Sequence, residues 1–203
     1  MSQDERAPRR ARVGEDDRAS RRALLGAAGA ALAAAGGVVL AGCGSTGTGK
    51  RAVKQLPPAV RRRDIGILLG ALELERRTVT AYVAGIPLLG HHHAKAAQRF
   101  LSEELEHTGE LIALIKAAGG KAPSRANSYA LGHPRDEAEV LALLHSLERM
   151  QIATYLHAIP RLAPGPVRAA VASILTVDSQ HVSMLRVVQD MVPVPAAFVS
   201  GDE

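Results

Sequence analysis

The sequence has one cysteine, Cys43, no tryptophan, and aromatics amounting to 2% of its 203 residues. A lone cysteine excludes an internal disulfide framework and any all-cysteine zinc site. With few aromatic rings, the apolar mass is Ala, Leu, Val and Ile, which suits close-packed helices better than a sheet sandwich. No strong charge imbalance is present either. Of the 25 Lys and Arg, seven precede Cys43, as do five of the 20 acids, so the remainder carries 18 against 15. That small excess is spread out and not interleaved with aromatics, which argues against a nucleic-acid partner.

What is there begins with an address. Residues 1–22 are polar and end in Ser20-Arg21-Arg22; then come the nearly unbroken apolar residues 23–42, and then Cys43. A basic region, an apolar region and small residues in that order form an export signal of the bacterial kind. Arg21 and Arg22, with Leu24 and Leu25 behind them, resemble a twin-arginine signal. Leu40-Ala41-Gly42-Cys43 resembles the lipobox of bacterial lipoproteins, which implies acylation of Cys43 and a lipid tether on the extracytoplasmic face of a membrane. The competing reading is an uncleaved anchor, because ~20 apolar residues can span a bilayer. Residues 43–63, rich in Gly, Ser, Thr, Pro and basic side chains, are expected to be a linker.

From Asp64 the apolar period is helical. Leu68, Ala71, Leu72, Val79, Tyr82 and Ile86 form one stripe, with Asp64 as expected N-cap and Pro87 near the end. A second helix is expected over 94–118, stopped by Gly119-Gly120 and Pro123. A third is expected from about Asp136 to Pro160, and a fourth after Pro166 that fails at Pro193. This gives an all-α four-helix bundle over 64–192 with a loose tail at 193–203. The first and last helix pairs have short connections and must be antiparallel hairpins. Between them lie the aperiodic residues 119–135. A helix of ~25 residues is ~37 Å long, and an extended connection of ~17 residues reaches ~56 Å. It can cross the whole bundle.

The hairpins are copies. Leu74-Glu75-Arg76-Arg77-Thr78-Val79-Thr80-Ala81-Tyr82 returns as Leu147-Glu148-Arg149-Met150-Gln151-Ile152-Ala153-Thr154-Tyr155, and each copy runs on to Ile-Pro. Glu75 and Glu148 fall on the apolar stripes of their helices. In the second helix Glu104 and His107 lie between Phe100 and Leu111; in the fourth, Asp178 and His181 lie between Ile174 and Leu185. An ionised carboxylate in a core costs several kcal/mol, and a group of them would repel. Two divalent ions answer both problems. Residues three apart share a helix face, so Glu-x-x-His can direct an oxygen and a nitrogen at one ion.

These residues resemble the ferritin-like superfamily, specifically its small bacterial ferritin-like domain proteins, over about 64–190. The likeness is carried by Glu75 with Tyr82, by Glu103-Glu104-Leu105-Glu106-His107 followed by the Ala-Ala-Gly-Gly-Lys-Ala-Pro of 117–123, by Glu148 with Tyr155, and by Asp178-Ser179-Gln180-His181. It implies Glu75 and Glu148 as terminal ligands, Glu104 and Asp178 as bridges, and His107 and His181 binding one ion each. The ions would be two of iron or manganese, with dioxygen or peroxide as possible reactants and an oxidase or peroxide-consuming reaction. Asp178 departs from the family's Glu and is one methylene shorter, which bears on whether it can span two ions. A metal-free ferritin-like lipoprotein, serving as a binding or scaffold module, is the other function class the sequence leaves open.

Tyr82 and Tyr155 each stand two turns beyond a proposed ligand. They are expected as core aromatics whose hydroxyls find a partner, the sharper reading being donors or redox-active phenols behind the metal ligands. His145, one turn before Glu148, is a further candidate of that kind. His91-His92-His93 are expected in a solvated loop, and Glu73, Glu103, Glu106 and Glu110 as exposed charges.

Overall fold

The computed structural model describes residues 56–202. Four helices make up the bundle: α1 (Pro58–Gly85), α2 (His91–Ala117), α3 (Glu137–Ala158) and α4 (Pro166–Val188), with a 3-10 turn at Ile86–Leu88 joining the first two. Among the described residues there is no strand. The all-α bundle is as expected. Arg21, Arg22, the apolar 23–42 segment and Cys43 lie outside the described residues. Within them no helix is long and apolar enough to cross a membrane.

α1 starts earlier than its periodicity suggested. Pro57 precedes the helix and Pro58 opens it, where a missing N–H costs nothing and a fixed φ favours the first turn. Asp64 is therefore inside the helix, not its cap. It is buried, and its carboxylate accepts from the Ala163 N–H at 3.2 Å, tying α1 to the α3–α4 loop. Residues 58–63 belong to the helix rather than to the expected linker. His91, His92 and His93, expected in a loop, form the first turn of α2. Asp136 does cap α3, accepting from the Glu139 N–H at 2.9 Å.

α1 lies against α2, α3 against α4, and α1 against α3. The crossover traverses the bundle as its length allows. It leaves α2 through Gly119, whose φ of +86° a side chain would strain. Midway, Arg77 donates to the Ala130 carbonyl at 3.1 Å. It arrives where Gly85 of α1 meets Val140 of α3 so closely that a Cβ would sit 2.7 Å from a Val140 methyl. The tail is not wholly loose: Gly201 is buried against Ala153 of α3.

The core is divided. One apolar cluster gathers Leu68, Leu72, Leu111, Ile115, Tyr155 and Ile174. Another gathers Tyr82, Phe100, Leu144, Leu147 and Leu185. Along each helix the seam between them is polar, which places Glu75, Glu104, Glu148 and Asp178 in the dry middle of the molecule, all fully buried.

Candidate metal centre

Each helix delivers its polar residues at the same level. Glu75 comes from α1, Glu104 and His107 from α2, Glu148 from α3, and Asp178 and His181 from α4; all six are buried. The structure brings them together. His107 Nδ1 lies 3.4 Å from Asp178 Oδ1, 3.5 Å from Glu104 Oε1 and 4.0 Å from Glu75 Oε2. His181 Nδ1 lies 3.3 Å from Glu104 Oε1 and 3.3 Å from Glu148 Oε1.

Two ligand sets emerge. Glu104, Glu148, Asp178 and His181 offer atoms within 4.8 Å of one another, and so do Glu75, His107 and Asp178. Asp178 belongs to both sets despite its short arm. Glu104 Oε1 faces both histidines. Asp178 and Glu104 thus each face both histidine sides of the cluster, whereas Glu75 and Glu148 each face one.

Whether the donors suit a pair of cations can be judged from what each leaves free. Glu75 Oε1 accepts from the Tyr155 hydroxyl, and Oε2 has no hydrogen-bond partner. Glu148 Oε1 accepts from the Tyr82 hydroxyl at 2.6 Å, leaving Oε2. Glu104 Oε2 accepts from the Gln151 amide at 2.8 Å, leaving Oε1. His181 Nε2 meets Glu103 at 2.8 Å, leaving Nδ1. His107 Nδ1 and both oxygens of Asp178 are likewise unpartnered. Buried polar atoms are seldom left so. Glu75, Glu104, Glu148 and His181 each have one atom held by a neighbour and the other free, and His107 Nδ1 and both Asp178 oxygens are free as well, a donor set that suits a divalent pair.

Protons balance the charges when no cation does. Burial, with the Glu104 charge beside it, pushes the Glu148 carboxyl up to about 7. The same causes raise Glu75 and Asp178 well above the carboxylate range. Glu104 resists: burial acts against its charge, but the imidazoles of His107 and His181 beside it hold it low. Burial also opposes a charged His181, yet the Glu104 and Glu148 carboxylates close to its Nδ1 raise it to about 11. Tyr82 and Tyr155, raised by burial and by their carboxylate neighbours, stay protonated donors.

The ferritin-like domain family matches this sequence over residues 63–190. The chain belongs to the ferritin-like domain family. Two solved structures share the fold. A conserved hypothetical protein, rv2844, from Mycobacterium tuberculosis superposes with a TM-score of 0.61 at 20% identity, covering 68% of this chain and 97% of that one. A ferritin-like, diiron-carboxylate protein from Bacillus anthracis strain Ames superposes at 0.56 with 16% identity, covering 65% and 99%. No curated protein matches.

Several residues of this ferritin-like centre were not expected. Glu103, assigned to solvent, is only half-buried but holds His181 and is itself held by Arg99 Nε at 3.0 Å. Gln151 not only donates to Glu104 but accepts from the Thr78 hydroxyl at 3.1 Å. Thr78 and Gln151 occupy the same place in the two copies of the repeat, three beyond Glu75 and Glu148, so the duplication itself pointed to them. Phe100 stacks on the His181 ring with centroids 4.2 Å apart. His145 is buried on α3, and Glu73, Glu106 and Glu110 are exposed as expected.

Proposed function

We propose that this ferritin-like protein is exported, tethered to a membrane by a lipid on Cys43, and holds two iron or manganese ions that react with dioxygen or peroxide. The observation that carries the metal reading is the set of inward, unpartnered atoms on Glu75, Glu104, His107, Glu148, Asp178 and His181, gathered in two overlapping groups. Glu75 and Glu148 would each hold one ion, Glu104 and Asp178 would bridge, and each histidine would complete one side. Oxygen and imidazole donors suit iron and manganese alike.

The bound pair would supply one-electron chemistry at a buried position. The chain's own contribution is orientation and dryness. Tyr82, Tyr155, Gln151 and Glu103 fix the ligands from behind, and the two apolar clusters close off water above and below. The export reading is supported by the sequence of residues 20–43: paired arginines, an apolar run and a cysteine where lipidation needs it. A twin-arginine route carries folded proteins, so metal could be inserted before export.

Elemental analysis of protein purified without a poly-histidine tag tests the metal reading. Two ions per chain are expected, falling below one in Glu104→Ala. A folded wild type that binds neither iron nor manganese when both are supplied would overturn it. Mass spectrometry of the membrane-extracted chain tests the tether: acylated Cys43 at the new N-terminus is expected, and an unmodified, uncleaved leader would refute lipidation.

A further inference from the structure

Beside the centre, on the His181 side, α2, α3 and α4 border a small apolar cavity that opens outward at Met184. Its walls are Ala97 and Phe100 of α2, Leu141 and Leu144 of α3, and Leu185 and Val188 of α4. Its volume is about 30 Å³. Roughly 10–15 Å³ on this measure admits one water, but a water also needs two to four polar partners, and the lining offers only the His93 ring, already engaged by Glu137. Drug-sized ligands need pockets of about 300 Å³ or more. What fits is a very small apolar molecule.

The cavity has an inner and an outer end. Met184, about half exposed, also lines it and marks the solvent side. Phe100 separates it from the centre, lying edge-on to Tyr82 at 6.4 Å and stacked on His181. Among its lining residues only His93 can carry charge, and that ring is paired with Glu137. A single aromatic ring thus stands between a dry, gas-sized space and a proposed ligand.

We infer that this cavity is a binding site for dioxygen, a waiting position from which the gas reaches the centre past Phe100. The inference rests on the di-metal reading above for its use, but the site itself does not depend on metal. Apolar cavities of this kind stay dry and take up xenon, so xenon is the probe. Full-length protein, metal-loaded and chelator-treated, is equilibrated with xenon and followed by 129Xe NMR and in pressurised crystals. One xenon against Phe100 is expected in both forms. Xenon absent there overturns the inference.

Ala96 also lines the cavity, and Ala96→Phe fills it. The expected result is loss of the xenon site, two metal ions per chain retained, and dioxygen uptake by the Fe(II)-loaded protein slowed at least tenfold, the electrons coming from the Fe(II). Xenon lost with uptake unchanged would make the cavity a packing gap and refute the inference. Should Ala96→Phe not fold, Ala96→Leu occupies part of the same space and is read the same way. A chain that binds xenon but no metal would sink the proposed function while leaving this site standing.

Discussion

Tyr82 of α1 donates its hydroxyl proton to Glu148 of α3, and Tyr155 of α3 donates to Glu75 of α1. Each copy of the repeat therefore holds the other copy's carboxylate. The two hairpins are braced crosswise through the centre, and the duplicated spacing of Glu and Tyr becomes a requirement of the pair rather than of either helix alone.

The brace predicts paired effects. Tyr82→Phe leaves Glu148 Oε1 buried without its donor, and Tyr155→Phe does the same to Glu75. An unsatisfied buried acceptor costs about 1–3 kcal/mol, and loss of a partner behind a ligand weakens metal binding about 10–100-fold. Chelator competition should show each variant losing affinity mainly for one ion, and the double variant for both. Equal, unaltered affinities in both single variants would mean that the phenols are packing groups only.

How much of this was open to reading from the residues alone depends on periodicity. The four helices, the two hairpins and the six inward polar residues all follow from a 3.6-residue stripe and its duplication. The start of α1 did not, because residues 58–63 are Pro, Ala, Val and three Arg, with no apolar stripe to mark them, and the acid at 64 imitates a cap. Glu103 was misjudged for a related reason. Its place on the helical wheel lies beside the seam, and only the neighbouring α4 reveals that His181 reaches it. Cross-helix pairs such as Tyr82 with Glu148 lie 66 residues apart and leave no periodic trace.

Asp178, one methylene shorter than a glutamate, still faces both groups of candidate ligands. Both its oxygens are free, and it takes part in both ligand groups. Asp178→Glu should therefore bring no gain in occupancy: two ions per chain remain, and the added methylene strains a filled interior by about 1–3 kcal/mol, visible as a lower Tm. Asp178→Ala removes the shared ligand and should take occupancy below one. Higher affinity or faster dioxygen uptake in Asp178→Glu would show that the short arm limits the site after all.

Glu103 separates a surface charge from a working one. It accepts from His181 Nε2, fixing which nitrogen faces inward, while Glu106 three residues on is exposed. Glu103→Ala should weaken metal binding about 10–100-fold, and Glu106→Ala should leave it unchanged within twofold. Isothermal titration with Mn(II) reads both. Equal behaviour of the two variants would return Glu103 to the solvent.

The metal-free protein should lose stability as pH rises, against the habit of most proteins. An acid whose folded value is raised contributes stability that is complete below its unfolded value and vanishes as pH passes the folded one. For Glu148 that window runs from 4.5 to about 7. Glu75 and Asp178 are raised too and act in the same direction. His181 adds to the fall from 6.5 upward, through about 11. Glu103, which burial pushes up but the combined pull of His181 and Arg99 brings below its usual value, loses its contribution only below 4.5 and leaves this window untouched. At about 1.4 kcal/mol per unit, the buried acids together should lower unfolding free energy by a few kcal/mol between pH 5 and pH 8. Urea titrations of chelated protein at those two values measure it. Metal reverses the sign, because ligands must shed protons to bind, so the loaded protein should gain stability over the same range and release protons on loading. A chelated protein more stable at pH 8 than at pH 5 would show that these carboxyls are not held protonated in the empty fold.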